Sequence, residues 1–155
     1  MRRKILILIG FFVLSMVSMT FAYNYDDHLG GNNNFILCDG HMGTAWYVDR
    51  SSLVVEKYEP PQYIISVNVC TVNQEDQGNT AISNVRTYRY FYNWDLRQMY
   101  VDRDGNSNWW YLDPRGSWAA TGVSTPAGEI AFALAYNKRF YGAMSGYDDN
   151  FYSGI

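Results

Sequence analysis

The sequence predicts an α+β domain: an antiparallel sheet of about five or six strands with one C-terminal helix packed on it. Three observations carry this expectation. Aromatic residues make up 17% of the 155-residue chain, and rings favour pleated, half-buried surfaces. Residues 63–72 and 85–92 alternate with period two, the signature of strands with one buried face. A single helical segment follows the strands rather than alternating with them, which separates α+β from α/β. A chain this long and 48% hydrophobic holds one domain and is too apolar for a disordered chain.

The elements are justified in chain order. Arg2-Arg3-Lys4, an apolar run over 5–17 and Thr20-Phe21-Ala22 form the three parts of a secretory signal peptide over residues 1–22, cut after Ala22. The apolar run is short for a membrane span of ~20 residues, and with no Cys at the cut, lipid attachment there is excluded. The expected location is therefore secreted, periplasmic or at the cell surface. Three of the 12 basic residues leave with the peptide, so nine face 15 acidic ones, a net charge of −6. That balance argues against nucleic acid, and against membrane insertion or anionic lipid binding after cleavage.

Residues 23–34, Gly- and Asn-rich, read as a flexible leader, and residues 35–142 as the domain. Strand candidates are 35–38, 44–48 and 53–57, the last two separated by an Asp49–Ser52 turn, with Pro60-Pro61 stopping the third. Tyr63, Ile65, Val67 and Val69 share an apolar face that predicts contact with the core. In 85–92, Tyr88, Tyr90 and Tyr92 oppose Thr87, Arg89 and Phe91. Segments 98–101 and 108–112 flank Asp102-Arg103-Asp104-Gly105-Asn106, a hairpin connection. Thr125-Pro126 starts a helix, Glu129 complements its positive end, Lys138 and Arg139 its negative end, and Gly142 stops it. Residues 143–155 read as a flexible tail.

Cys38 and Cys70, the two cysteines of an exported chain, are expected to form a disulfide worth roughly 3–4 kcal/mol; two buried thiols are the competing reading. No cofactor and no metal is expected. His28 and His41 are the two histidines, no H-E-x-x-H, G-x-S-x-G or P-loop occurs, and the calcium-like 102–108 stretch has its Gly too early and lacks the late Glu. Catalysis would need distant carboxylates to converge, so the chain reads as a non-enzyme. What remains is aromatic: Trp109, Trp110, Tyr111 and Trp118 are the candidate ligand-binding residues, because Trp and Tyr offer large contact area at low entropic cost. Neighbours in a strand point to opposite faces, so Trp110 cannot share a side with Trp109 and Tyr111. Core filling and cross-strand pairing compete for the same rings.

Trp46-Tyr47-Val48-Asp49-Arg50-Ser51-Ser52-Leu53, the strands at 63–72 and 85–92, and Trp110-Tyr111-Leu112-Asp113-Pro114 before a Pro126-Ala127-Gly128-Glu129 helix start resemble the surface-adhesin protein E family of small secreted bacterial domains. The likeness spans about residues 45–142. It implies an antiparallel sheet with a packed helix, binding to host matrix proteins at the cell surface, and a homodimer. The function expected is a non-catalytic exported binding protein that meets a protein partner outside the cytosol through its sheet or aromatic hairpin. The alternatives are a small envelope enzyme inhibitor or accessory protein, and a carboxylate-dependent hydrolase.

Overall fold

The computed structural model describes residues 25–155; the expected signal peptide lies outside them. Six strands form one antiparallel meander: β1 (Phe35–His41), β2 (Thr44–Glu59), β3 (Gln62–Asn73), β4 (Ile82–Asn93), β5 (Gln98–Asp102) and β6 (Trp110–Leu112), paired in sequence order. Helices α1 (Trp118–Thr121), α2 (Ser124–Tyr136) and α3 (Asp149–Ser153) follow. The α+β class and the antiparallel sheet are as the alternation pattern predicts, with two short helices beside the expected long one.

Asp49–Ser52 is not a turn. β2 runs through it as one 16-residue strand, and its register with β3 shifts between Asp49 and Val54. The turn-forming side chains are used to satisfy the bulged backbone: Asp49 Oδ1 accepts from the Ser51 N–H and hydroxyl, and Ser52 Oγ accepts from the Asn68 N–H. The same chemistry that closes a turn here feeds a bulge.

The core follows strand parity. Ile65, Val67 and Val69 meet Tyr88, Tyr90, Tyr92, Met99 and Val101 on one sheet face, under Ala127, Ile130, Ala131 and Phe132 of α2. Gly128 permits the close approach: a Cβ there would lie 2.4 Å from Met99 Sδ and 2.8 Å from Tyr90 Cε1. The helix ends well before Gly142. Asn137 adopts φ 52°, and its N–H bonds back to the Ala133 carbonyl, a left-handed cap that turns the chain around. The returning segment brings Phe140 and Tyr141 into the core. Glu129 receives them. Fully buried, its carboxylate accepts N–H groups of Phe140 at 2.6 Å, Tyr141 at 2.8 Å and Gly142 at 3.4 Å, and the Tyr152 hydroxyl at 2.5 Å. It is an interior acceptor, not a surface partner of the helix dipole.

Leader and tail differ from the loose segments their composition suggests. Leu29 is buried with Ala45, Tyr47 and Val72 in a second, smaller cluster on the other sheet face. Tyr25 lies flat on Gly40, and the Asp26 N–H donates to Glu75 Oε1. In the tail, Phe151 and Ile155 pack against the main core. A few apolar anchors outweigh the polar residues around them.

The expected Cys38–Cys70 disulfide is absent; both thiols are free and buried. Cys38 sits in a β1 bulge with its thiol on the α2 side, while Cys70 pairs with Tyr47 and shares its opposite side. With β2 between them, the two strands lie roughly 10 Å apart, beyond the ~7 Å limit for a bridge. The Cys38 thiol instead donates to the Trp46 carbonyl at 3.0 Å. Burial pushes the Cys38 thiol well up and Cys70 to about 11. Thiol titration of the unreduced protein is expected to find two groups in denaturant and slow reaction in the native state. No titratable thiol in denaturant would restore the bond.

Candidate binding surface

The sheet face away from α2 is built by the other strand parity. Ile64, Phe91, Tyr100 and Tyr111 stand in one row across β3, β4, β5 and β6, each opposite the next in register. Ring centroids are 5.8 Å apart for Phe91–Tyr100 and 5.4 Å for Tyr100–Tyr111, while Trp109 lies 6.1 Å from Phe91. These are edge-and-tilt packings of the kind that stabilise cross-strand pairs. The row is open to water: Tyr111 is 49% exposed, and Phe91, Tyr100 and Trp109 are half-buried.

A polar row runs beside it. Ser66, Arg89 and Asp102 are in register on β3, β4 and β5. The Arg89 guanidinium donates to both Glu56 carboxylate oxygens and, through Nη1, to Asp102 at 3.2 Å. It also lies 5.4 Å from the centre of the Trp109 ring. Burial alone would raise the Asp102 pKa, but the N–H groups of Ser107, Asp104 and Gly105, with Arg89, outweigh it and hold the carboxyl below its usual range. The hydrogen bond from Arg89 likewise lowers Glu56. Asp102 thus organises the 102–107 loop from inside, at 2.9 Å to both Gly105 N and Ser107 N, and the loop delivers Trp109 to Phe91. In this calcium-like stretch the Asp102 carboxylate accepts backbone N–H groups.

The structure divides the four sequence candidates among three surfaces. Trp109 and Tyr111 belong to the open aromatic row. Trp110 projects to the other face opposite Val101, 65% exposed, beside a cleft of about 290 Å³ that Arg86 and Arg103 also line. Trp118, on α1, reaches the far edge of the sheet: its indole N–H donates to Asp39 at 2.6 Å and its ring lies 4.8 Å from His41. Among the described residues, no group of three or more His, Cys, Asp and Glu side chains is placed to hold a metal ion. Sequence reasoning missed Phe91, Tyr100 and Ile64 as members of the surface. Parity assigns Phe91 to the face of Arg89, but joining it to Tyr100 and Tyr111 needs the register of two hairpins.

No protein-family model, curated protein or solved structure matches this chain.

Proposed function

We propose that this is an exported, non-catalytic binding protein, adhesin-like, that holds an extracellular or envelope protein on the open aromatic face of its sheet. One observation carries the reading: an in-register row of solvent-facing rings, Phe91–Tyr100–Tyr111 with Trp109, bordered by the Arg89–Glu56 pair. Tyr, Trp and Arg are the residue types that dominate binding energy at protein interfaces. The rings are held by cross-strand packing, so little order has to be gained on contact. Glu56 is held below its usual range by Arg89, and Asp102 chiefly by the N–H groups of Ser107, Asp104 and Gly105 with Arg89 added, an arrangement that supports contact over proton transfer. Export rests on the residues of the signal-peptide pattern, and the host-matrix partner on the adhesin resemblance.

The test is capture of matrix proteins by the immobilised chain. Trp109→Ala with Tyr111→Ala is expected to reduce capture about thirtyfold, the effect of losing ~2 kcal/mol at a hot spot. Trp110→Ala and Trp118→Ala, on other surfaces, should leave it within about twofold. A double variant that unfolds cooperatively and captures like the wild type would place the contact elsewhere. A dimer of the wild type that dissociates in the same variant would assign the face to self-association.

A further inference from the structure

We infer that the free edge of β4 binds an extended, uncharged segment of a partner protein as an added antiparallel strand. β4 runs from Ile82 to Asn93, but β5 pairs with it only from Arg89 onwards. The Asp102 carboxylate accounts for the shortfall. It takes the N–H groups of Asp104, Gly105 and Ser107, and so folds the chain out of the lane that a longer β5 would fill. Ile82 to Tyr88 are left as an edge roughly 20 Å long, and every residue from Ile82 to Thr87 is exposed.

Pairing with β3 decides which main-chain groups point outwards. The Asn68 N–H turns to β2, where it donates to Ser52 Oγ, and the Thr71 carbonyl turns to β4, where it accepts from Ser83 Oγ. Alternation then directs Val67 and Val69 at β4, and their register partners Tyr88 and Arg86 back at β3. Val85 and Thr87 therefore turn their N–H and C=O groups the other way. Among the described residues, no strand or loop main chain meets those groups. Unpaired main-chain groups in a row are matched by the main chain of another strand. The side chains narrow the choice. Ile82 and Val85 are 38% and 51% exposed, and cross-strand contact with them favours β-branched neighbours. Arg86, the one charge of the edge, is already met by Asp104, so an anion opposite it would have to compete and a cation would be repelled. A second copy of β4 fits less well. Paired about Val85, its Ala81 would fall opposite Arg89, the place that Asp102 holds.

The probe is an acetylated, amidated peptide of alternating Val and Thr, matched in length to the Ile82–Tyr88 edge and read by amide hydrogen exchange in NMR spectra of the purified protein. In the free protein the Val85 and Thr87 amides are expected to exchange at least about tenfold faster than those of Arg86 and Tyr88. One peptide per chain should bind saturably and slow Val85 and Thr87 about tenfold or more. The same peptide N-methylated at every amide keeps its side chains, loses its donors and should protect neither. Val85→Pro removes an outward N–H, a change that edge strands tolerate, and should weaken the peptide about tenfold or more. Trp109→Ala with Tyr111→Ala should leave binding within about twofold, which separates this edge from the aromatic face. The inference is overturned if the peptide shows no saturable binding, if the methylated peptide binds as tightly, or if the free protein is a dimer in which Val85 and Thr87 are already protected. The methylated peptide decides the question even where Val85→Pro fails to fold.

Discussion

Glu129→Ala is expected to lower stability by about 4 kcal/mol or more, and the melting temperature by roughly 12 °C or more. The reason is the number of donors left behind. Three backbone N–H groups, of Phe140, Tyr141 and Gly142, and the Tyr152 hydroxyl converge on this one buried carboxylate. An orphaned buried donor costs about 1–3 kcal/mol each, and alanine supplies no acceptor. Total stability of a domain this size is about 5–15 kcal/mol, so the loss is a large share of it. Two milder variants make the ranking a test. Glu129→Gln can keep an oxygen at the Oε1 position, which serves Phe140, Gly142 and Tyr152, and misplaces only the group facing Tyr141; about 2 kcal/mol is expected. Tyr152→Phe removes one donor and should cost about 1 kcal/mol. Chemical denaturation of the three variants checks the order; equal losses, or none for alanine, would deny the carboxylate its role in fixing the return segment.

Gly128→Ala is expected to destabilise, against the usual sign. In a helix interior this change normally gains about 1 kcal/mol. Here the new methyl would meet Met99 Sδ at 2.4 Å and the Tyr90 ring at 2.8 Å and 2.9 Å. Both side chains are fully buried and cannot swing into water. Overpacking of about 3 kcal/mol outweighs the propensity gain, for a net loss of about 2 kcal/mol and roughly 6 °C in melting temperature. The same turn of α2 offers its Gly128 carbonyl to the Tyr92 hydroxyl at 2.7 Å, so a displaced helix also strains that bond. Gly154→Ala, with no atom within 4 Å of its new methyl, is the control and should change stability by less than about 0.5 kcal/mol. A stabilised Gly128→Ala would mean that α2 stands farther from β4 and β5 than described.

What could be read from the sequence was what lies in local periodicity. Tyr63 to Val69 and Tyr88 to Tyr92 declare their faces by alternation, and Thr125-Pro126, read as cap and first helical residue, mark the helix start two residues late, since the helix begins at Ser124 after Val123. Local signals failed where two structures share one chemistry. Asp49, Ser51 and Ser52 serve a turn or a bulge equally well, and only pairing with β3 chose the bulge. Asn137 and Gly142 both adopt positive φ, and the earlier one ended the helix. The cysteine expectation came from compartment, whereas the faces and spacing of β1 and β3 decide whether two thiols meet. For the binding surface, parity was enough to set Trp109 and Tyr111 apart from Trp110. Their companions Phe91 and Tyr100 become neighbours only once β4, β5 and β6 are in register.

The open aromatic face is tested most directly by hydroxyl-radical footprinting of the free protein and of its complex with a captured matrix protein, read residue by residue in a mass spectrometer. In the free protein Trp109 and Tyr111 should oxidise readily. In the complex both should be protected, while Trp110 and Trp118 keep their reactivity. Trp109 and Tyr111 that stay equally reactive when the partner is bound would contradict the account.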